Sequence, residues 1–200
     1  MHKSLIVDPR IRGKIEDLVP IPIVVRVTDF NEAGAKAFYE DIEKATNTKQ
    51  PIIPVMIDSY GGEVYACLDM MSHMLSLSTP IATIVTGKAM SCGAMLFAMG
   101  KTRYMAPNAT LMLHDVSAVI GGKMAELKSS AKEAARIQKL IFSLISKNIG
   151  KPNKYFTDIL HEKSHAEWYI GVNEAKRHNI CTNIGVPKII TRVTLSYEFQ

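Results

Sequence analysis

The regular alternation of strand-like and helix-like segments is the feature that most constrains the fold of this chain. Three runs rich in β-branched residues predict strands: PIPIVVRV at 20–27, PIIPVMID at 51–58 and PIATIVTG at 80–87. Between them, NEAGAKAFYEDIEKA at 31–45 and EVYACLDMMSHMLSLS at 63–78 carry apolar residues at helical spacing. The strand-like run at 51–58 is continuously apolar, which is typical of a strand buried on both faces. This alternation predicts a single α/β domain.

The rest of the chain continues the same pattern. We expect a short apolar helix in SCGAMLFAMG at 91–100, short strands in TRYM at 102–105 and TLMLHD at 110–115, and a long amphipathic helix at 124–148. The tail from 188 to 200 alternates apolar and polar residues, as a half-exposed strand does. The expected buried faces of the three main helices are Ala35, Phe38, Ile42 and Ala45; Val64, Leu68, Met71 and Leu75; and Leu127, Ala131, Ala134, Ile137, Ile141, Leu144 and Ile145.

Composition excludes several classes of protein. The 200 residues, with 47% hydrophobic and 22% charged residues, are enough for one globular domain with a real core. The longest apolar run, 89–99, is too short to span a membrane, and the N-terminus lacks the apolar region of a secretory signal. The net charge of +5 is scattered among acids, which argues against nucleic-acid binding. Three cysteines, Cys67, Cys92 and Cys181, form no C-x-x-C pair and favour a reducing, cytoplasmic setting.

HEKSH at 161–165 matches the H-E-x-x-H pattern of zinc proteases, in which two histidines one helical turn apart bind zinc and the glutamate acts as base. A third ligand is also needed. The extended H-E-x-x-H-x-x-G motif fails at Trp168, and Glu174 or His178 could serve only in a rearranged fold. The motif is therefore a weak candidate on its own.

Three other features carry chemistry. DSYGGEV at 58–64 places two glycines between a strand and a helix, where free N–H groups can approach a ligand. Ser91 lies at a second strand-to-helix junction, where a nucleophile gains from a neighbouring N–H as oxyanion donor. His114 ends a short apolar strand, where a base could face that serine. Taken singly, each also fits a plainer role as a turn, a helix cap or a strand end.

Taken together and in this order, these segments resemble the ClpP family, the proteolytic subunits of ATP-dependent Clp proteases. IDSYGGEV is similar to the family's I-N-S-P-G-G-x-V, and GKAMSCGAMLFAMG to its G-x-A-A-S-M-G-A-x-L-L-x-A-G. RYMAPNATLMLHD is similar to R-x-x-L-P-N-S-x-x-M-I-H-Q. The likeness runs from about Ile21 to Val186. It implies a ClpP/crotonase-like superhelix of β-β-α units, with an N-terminal arm at 1–20, a handle helix at 124–148 and a C-terminal strand at 188–200.

The resemblance also implies the site residues. Ser91 takes the place of the nucleophile, His114 that of the general base, and the N–H groups of Gly62 and Cys92 those of the oxyanion hole. Neither a cofactor nor a metal is implied.

The third catalytic residue lies where the chain departs from the family. The block D-R-D-x-[FY]-[ML]-S-A-x-E-A falls on HAEWYIGVNEA at 165–175, which puts Glu167 in place of the catalytic Asp and Ala166 in place of the Arg before it. The chain has about four extra residues upstream, so Asp158 and Glu162 stay open as alternatives.

The function implied is a serine endopeptidase that cleaves unfolded polypeptides or peptides inside a ring-shaped chamber. The implied partners are polypeptide substrates, other copies of the chain in heptameric rings stacked as a tetradecamer, and an ATP-dependent unfoldase. Two alternatives stay open: a catalytically impaired ring subunit with a structural role, and an acyl-CoA hydratase or isomerase of the related crotonase fold.

Overall fold

A computed structural model describes residues 21–117 and 123–190 of the chain. In these residues seven strands form one sheet. The strands are β1 (Val25–Val27), β2 (Ile53–Ser59), β3 (Ile81–Met90), β4 (Thr102–Met105), β5 (Thr110–Leu113), β6 (Trp168–Gly171) and β7 (Asn183–Ile184). The helices are α1 (Glu32–Asn47), α2 (Val64–Ser76), α3 (Cys92–Ala98), α4 (Met124–Asn148), α5 (Tyr155–Glu162) and α6 (Val172–Arg177). Of the helices in these ranges, none has a stretch long and apolar enough to cross a bilayer.

Strand β3 is the branch point of the sheet. Its first half pairs in parallel with β4, and its last residues, Lys88–Met90, pair in parallel with β5. The change of partner coincides with a register shift between β2 and β3. Ile57 pairs with Val85, but the next pair is Ser59 with Ala89, so β3 covers four positions where β2 covers two. Strand β6 then runs antiparallel to β5 at the far side of this branch. The parallel core of the sheet and the surrounding helices confirm the predicted α/β fold.

The helix faces follow the sequence pattern in α1 but not in α2. Asn31 caps α1 by accepting a hydrogen bond from the Gly34 N–H at 2.8 Å, and the buried side chains are the four expected ones. In α2 the prediction was wrong in part, because Leu75 is 57% exposed and the buried face is instead formed by Cys67, Met70, Met71 and Met74. The helix packs against both α1 and α3, which selects a face that one stripe of apolar residues did not reveal.

Helix α4 is buried along only half of its length. Its C-terminal half packs on the core through Ile137, Ile141, Phe142 and Ile145. The N-terminal half, from Met124 to Arg136, lies largely exposed, so the apolar stripe expected at 127–134 lacks a buried environment within one chain. The helix spans the residues that the periodicity predicts.

The C-terminal part of the described chain is anchored by a buried arginine. Arg103, on β4, is 3% exposed, and its guanidinium donates to the carbonyls of Ile180 at 2.9 Å, Gly100 at 2.7 Å and Asn179 at 3.0 Å. Burial lowers the pKa of Arg103. Beyond this anchor, residues 188–190 form no strand, while the expected arm at 1–20 and the rest of the tail strand lie outside the described residues.

Candidate active site

Ser91 occupies a sharp turn between β3 and α3. Its backbone has φ 52° and ψ −119°, in the positive-φ half of the Ramachandran map, which residues with a Cβ rarely adopt. Two backbone hydrogen bonds hold the turn: the Ser91 N–H donates to the Met112 carbonyl at 2.8 Å, and the Met95 N–H donates to the Ser91 carbonyl at 3.0 Å. Such strain persists only where the surroundings impose it, and it recurs where a nucleophile must project from a strand end.

His114 lies at the end of the neighbouring strand, in contact with this serine. Strands β3 and β5 pair through Met90 and Met112, so the residues that follow each strand emerge side by side. The distance from His114 Nε2 to Ser91 Oγ is 2.8 Å, within hydrogen-bonding range. The structure therefore brings together the two residues that the sequence motifs single out, in the geometry of a nucleophile and its base.

The two glycines of the β2–α2 loop lie against this turn. Gly61 has φ +101°, and a Cβ there would lie 2.8 Å from the Ser91 Cβ. Gly62 has φ +151°, and a Cβ there would lie 2.4 Å from the Phe30 carbonyl oxygen. Both the backbone conformation and the lack of space require glycine. The loop can thus place bare backbone beside Ser91, as an oxyanion site needs.

A contact between the Cys92 thiol and the Gly62 carbonyl connects the two predicted oxyanion residues. The Cys92 thiol donates to this carbonyl at 3.4 Å, and the Cys67 thiol from α2 lies 3.6 Å from the Cys92 carbonyl oxygen. The neighbouring Cys67 side chain lowers the pKa of the Cys92 thiol against the opposing effect of burial, whereas the Cys92 side chain and burial both raise the pKa of Cys67. The Cys92 side chain belongs to the hydrophobic core, so the group in contact with His114 is the serine hydroxyl.

The predicted third residue forms no hydrogen bond to the histidine in this structure. Glu167 accepts a hydrogen bond from the Tyr169 hydroxyl at 2.8 Å, and this bond is the main cause that raises the pKa of Tyr169. Within residues 21–117 and 123–190, no hydrogen bond joins Glu167, Asp158 or Glu162 to His114. The assignment of the acid stays a prediction.

The strand register nevertheless brings the Glu167 segment beside His114. The antiparallel ladder of β5 and β6 ends at the pair Leu113 and Trp168. One further step along this ladder would set His114 opposite Glu167. Directly opposed residues of an antiparallel pair have Cβ atoms about 4.5–5.5 Å apart. Asp158 and Glu162 belong instead to α5, which precedes the turn into β6.

The HEKSH segment lacks the helical geometry of a zinc-protease motif. Helix α5 ends at Glu162, and Ser164 and His165 both have positive φ, so the two histidines do not face one ligand from successive helical turns. His165 Nδ1 instead lies 2.5 Å from a carboxylate oxygen of Asp115. In the part of the chain that the structure describes, no three histidine, cysteine or acidic side chains are grouped as metal ligands.

One set of contacts beside His114 was missed by the sequence analysis. Asp115 accepts hydrogen bonds from His165 and from Gln138, a residue of α4 that helical periodicity marks only as polar. The three residues are separated by more than twenty positions along the chain, so a local motif could not have revealed them.

Comparison with known proteins identifies the family of the chain. The family model for Clp protease matches residues 21–187. A similar relative is the ATP-dependent Clp protease proteolytic subunit of Porphyromonas gingivalis (strain ATCC BAA-308 / W83), 27% identical over 134 residues. That alignment covers 66% of this chain and 59% of the relative, so the chain matches less than two thirds of the relative's length. With a family match over most of its length and a serine–histidine contact at the expected junction, the chain belongs to the Clp protease family.

Proposed function

We propose that the protein is a serine endopeptidase, in which Ser91 is the nucleophile and His114 the general base. The observation that carries the proposal is the 2.8 Å contact between Ser91 Oγ and His114 Nε2, made where β3 and β5 end side by side. Membership of the Clp protease family supports peptide hydrolysis as the reaction.

The proposed reaction is acyl transfer. His114 Nε2 accepts the hydroxyl proton as Ser91 Oγ attacks the carbonyl carbon of a peptide bond, and the carbonyl oxygen becomes an oxyanion. The N–H groups of Gly62 and Cys92 stabilise that charge by donating hydrogen bonds to the oxyanion. The Gly61–Gly62 loop can take part because its backbone lies close to Ser91. His114 then gives its proton to the leaving amine, the C–N bond breaks, and water attacks the acyl-enzyme with His114 again as base.

Glu167 is the acid that we propose for this pair. When Nε2 of His114 accepts the serine proton, the ring needs a hydrogen on Nδ1, and a carboxylate beside Nδ1 fixes that tautomer and stabilises the imidazolium. The β5–β6 register supports Glu167, because the next pair of the ladder would be His114 and Glu167. In this structure Oε2 of the carboxylate accepts from the Tyr169 hydroxyl. Asp158 and Glu162 remain the alternatives.

Assembly into stacked heptameric rings is the second part of the proposal. The largely exposed N-terminal half of α4 carries an apolar stripe, and Met124 and Leu140 on this helix are exposed. Such a half-helix gains a buried environment when another subunit covers it. Substrates are unfolded polypeptides, bound as an added strand beside the oxyanion loop and the segment after His114. Delivery by an ATP-dependent unfoldase and a cytoplasmic location stay predictions.

A fluorophosphonate probe tests the proposal directly, because it labels only an activated serine. We expect the full-length protein to incorporate one probe per chain at Ser91, located by peptide mass mapping, and Ser91→Ala to incorporate none. Native mass measurement of both proteins supplies the control, since Ser91→Ala should assemble as the wild type does. An assembled ring that resists labelling and does not cleave a fluorogenic peptide would favour the impaired ring subunit, in line with the resting contact of Glu167 with Tyr169.

A further inference from the structure

A hydrogen-bonded group of three side chains lies beside His114. The Asp115 carboxylate accepts one bond on each oxygen: from Gln138 Nε2 at 2.7 Å on Oδ1, and from His165 Nδ1 at 2.5 Å on Oδ2. Gln138 Oε1 in turn accepts from the Val116 N–H at 2.8 Å. We call Asp115, Gln138 and His165 the Asp115 clamp.

The clamp joins three separate parts of the molecule. Asp115 belongs to the segment that leaves β5, Gln138 to α4, and His165 to the turn between α5 and β6. Next to Gln138, Ile137 is fully packed in the core, so this part of α4 is a firm support. Strand pairing of β5 ends at Leu113, so beyond that residue the clamp replaces sheet pairing as the constraint on the chain.

His114 lies between two constrained residues. Its backbone lies between Leu113, which is held in the sheet, and Asp115, which is held by the clamp. On the other side, His165 lies two residues before Glu167, so the same carboxylate ties the segment of the base to the segment of the proposed acid.

We propose that Asp115 is a positioning residue: through Gln138 and His165 it fixes the orientation of His114 toward Ser91 and the approach of the Glu167 segment to His114. This inference rests on the proposed function. Asp115 acts through the backbone of its neighbour and needs no contact with substrate. The clamp differs from an isolated surface ion pair, which contributes little, because its acceptor oxygens are both used and its amide partner is half-buried on α4.

The test uses His165, whose side chain is 54% exposed and whose replacement leaves the core intact. His165→Ala should lower kcat for a fluorogenic peptide, and the fluorophosphonate labelling rate, by about 10-fold to 100-fold with KM little changed, because a misplacement of about 1 Å can cost about 10²-fold. His165→Gln, which retains an N–H donor, should recover a large part of the loss. The matched control is His161→Ala, which removes a neighbouring exposed histidine and leaves the Asp115 bond in place.

A double variant separates a clamp from two independent effects. Asp115→Ala should lose at least as much kcat as His165→Ala, and Asp115→Ala/His165→Ala should be no worse than Asp115→Ala alone, since both changes remove the same bond. Native mass and thermal unfolding check that each variant remains assembled and folded. Asp41→Ala, at an exposed carboxylate paired with Lys44 on α1, controls for the loss of an acid.

The outcomes distinguish this inference from the function on which it rests. A wild-type protein that neither labels nor cleaves overturns the proposed function, and the positioning role with it. An active wild type whose His165→Ala and folded Asp115→Ala variants keep their kcat, or whose losses simply multiply in the double variant, overturns the positioning role alone.

Discussion

The two sides of His114 are built in different ways. Toward Ser91, two neighbouring strands end together, the turn is held by backbone hydrogen bonds, and the contact between His114 Nε2 and Ser91 Oγ is already formed at 2.8 Å. Toward Glu167, the chain arrives from a turn with two consecutive positive-φ residues, and the carboxylate bonds to Tyr169 instead. Sheet pairing thus fixes the proposed nucleophile and base, whereas the position of the proposed acid depends on side-chain contacts that can exchange partners.

The largest expected effect comes from substitutions on the Ser91 side of His114. Ser91→Ala should lower the turnover of a fluorogenic peptide by about 10⁶-fold, and His114→Ala by a similar factor, because the residues of a catalytic group act as a unit. For the same reason Ser91→Ala/His114→Ala should be no slower than either single variant. Steady-state assays at enzyme concentrations high enough to detect residual turnover would measure this. A double variant slower by the product of the two single losses would contradict a shared mechanism.

The next effect tests the other side. Glu167→Gln retains size but removes charge, and should lower turnover by roughly 10²–10⁴-fold, as an amide does in place of a triad carboxylate. The matched control is Asp158→Asn, which should leave kcat close to wild type. If Asp158→Asn lowers turnover and Glu167→Gln does not, the acid lies on α5 and the assignment from the β5–β6 register is wrong.

A glycine substitution compares space with backbone conformation. Gly61→Ala combines a positive φ with a Cβ 2.8 Å from the Ser91 Cβ, so it should destabilise the fold and displace Ser91. Gly150→Ala also has positive φ, at +73°, but its Cβ would have no neighbour within 4 Å. We expect Gly150→Ala to cost about 1–2 kcal/mol of unfolding free energy, the left-handed penalty alone, with activity retained. Gly61→Ala should cost more and slow probe labelling; equal stability and activity of the two would show that the loop is not packed on Ser91.

The smallest effect reports on the resting state of Glu167. Its hydrogen bond raises the pKa of Tyr169, because it stabilises the protonated hydroxyl and its charge opposes the phenolate. Glu167→Gln should therefore shift the titration of Tyr169 to lower pH. Ultraviolet absorbance of phenolate, taken as the difference between each protein and its Tyr169→Phe counterpart, would isolate this tyrosine. An unchanged titration would mean that the hydrogen bond between the Tyr169 hydroxyl and Glu167 is not populated in solution.

The parts of the structure that were predictable are those governed by local pattern. Strands β1 to β5, the long helix at 124–148 and the buried face of α1 follow from periodicity and a capping Asn31, since these depend on neighbours in sequence. Strands β6 and β7 were not predicted, and the strand expected from residue 188 is absent at 188–190. The Ser91 and His114 pair was found because two strand-end motifs were recognised together. Their contact depends on the parallel pairing of β3 with β5, which local pattern leaves open.

The parts that escaped prediction depend on contacts between distant segments. The exposure of Leu75 reflects the packing of α2 between two other helices. The Asp115 clamp joins residues from three elements, and HEKSH matches a five-residue pattern although its helix ends at Glu162. The Tyr169 partner of Glu167 lies only two residues away, but strand geometry alone does not select that bond over one to His114.

The buried arginine of β4 has a consequence for how the chain opens. Because Arg103 binds the carbonyls of Asn179 and Ile180, and its own carbonyl accepts from the Thr182 N–H at 2.9 Å, the segment from 179 to 182 cannot detach without unsatisfying a buried cation. Its amide protons should then exchange with deuterium only when β4 itself opens, at the rate of the central sheet rather than of a peripheral segment. We therefore expect the boundary of the cooperative unit to lie beyond Thr182, several residues past the end of α6.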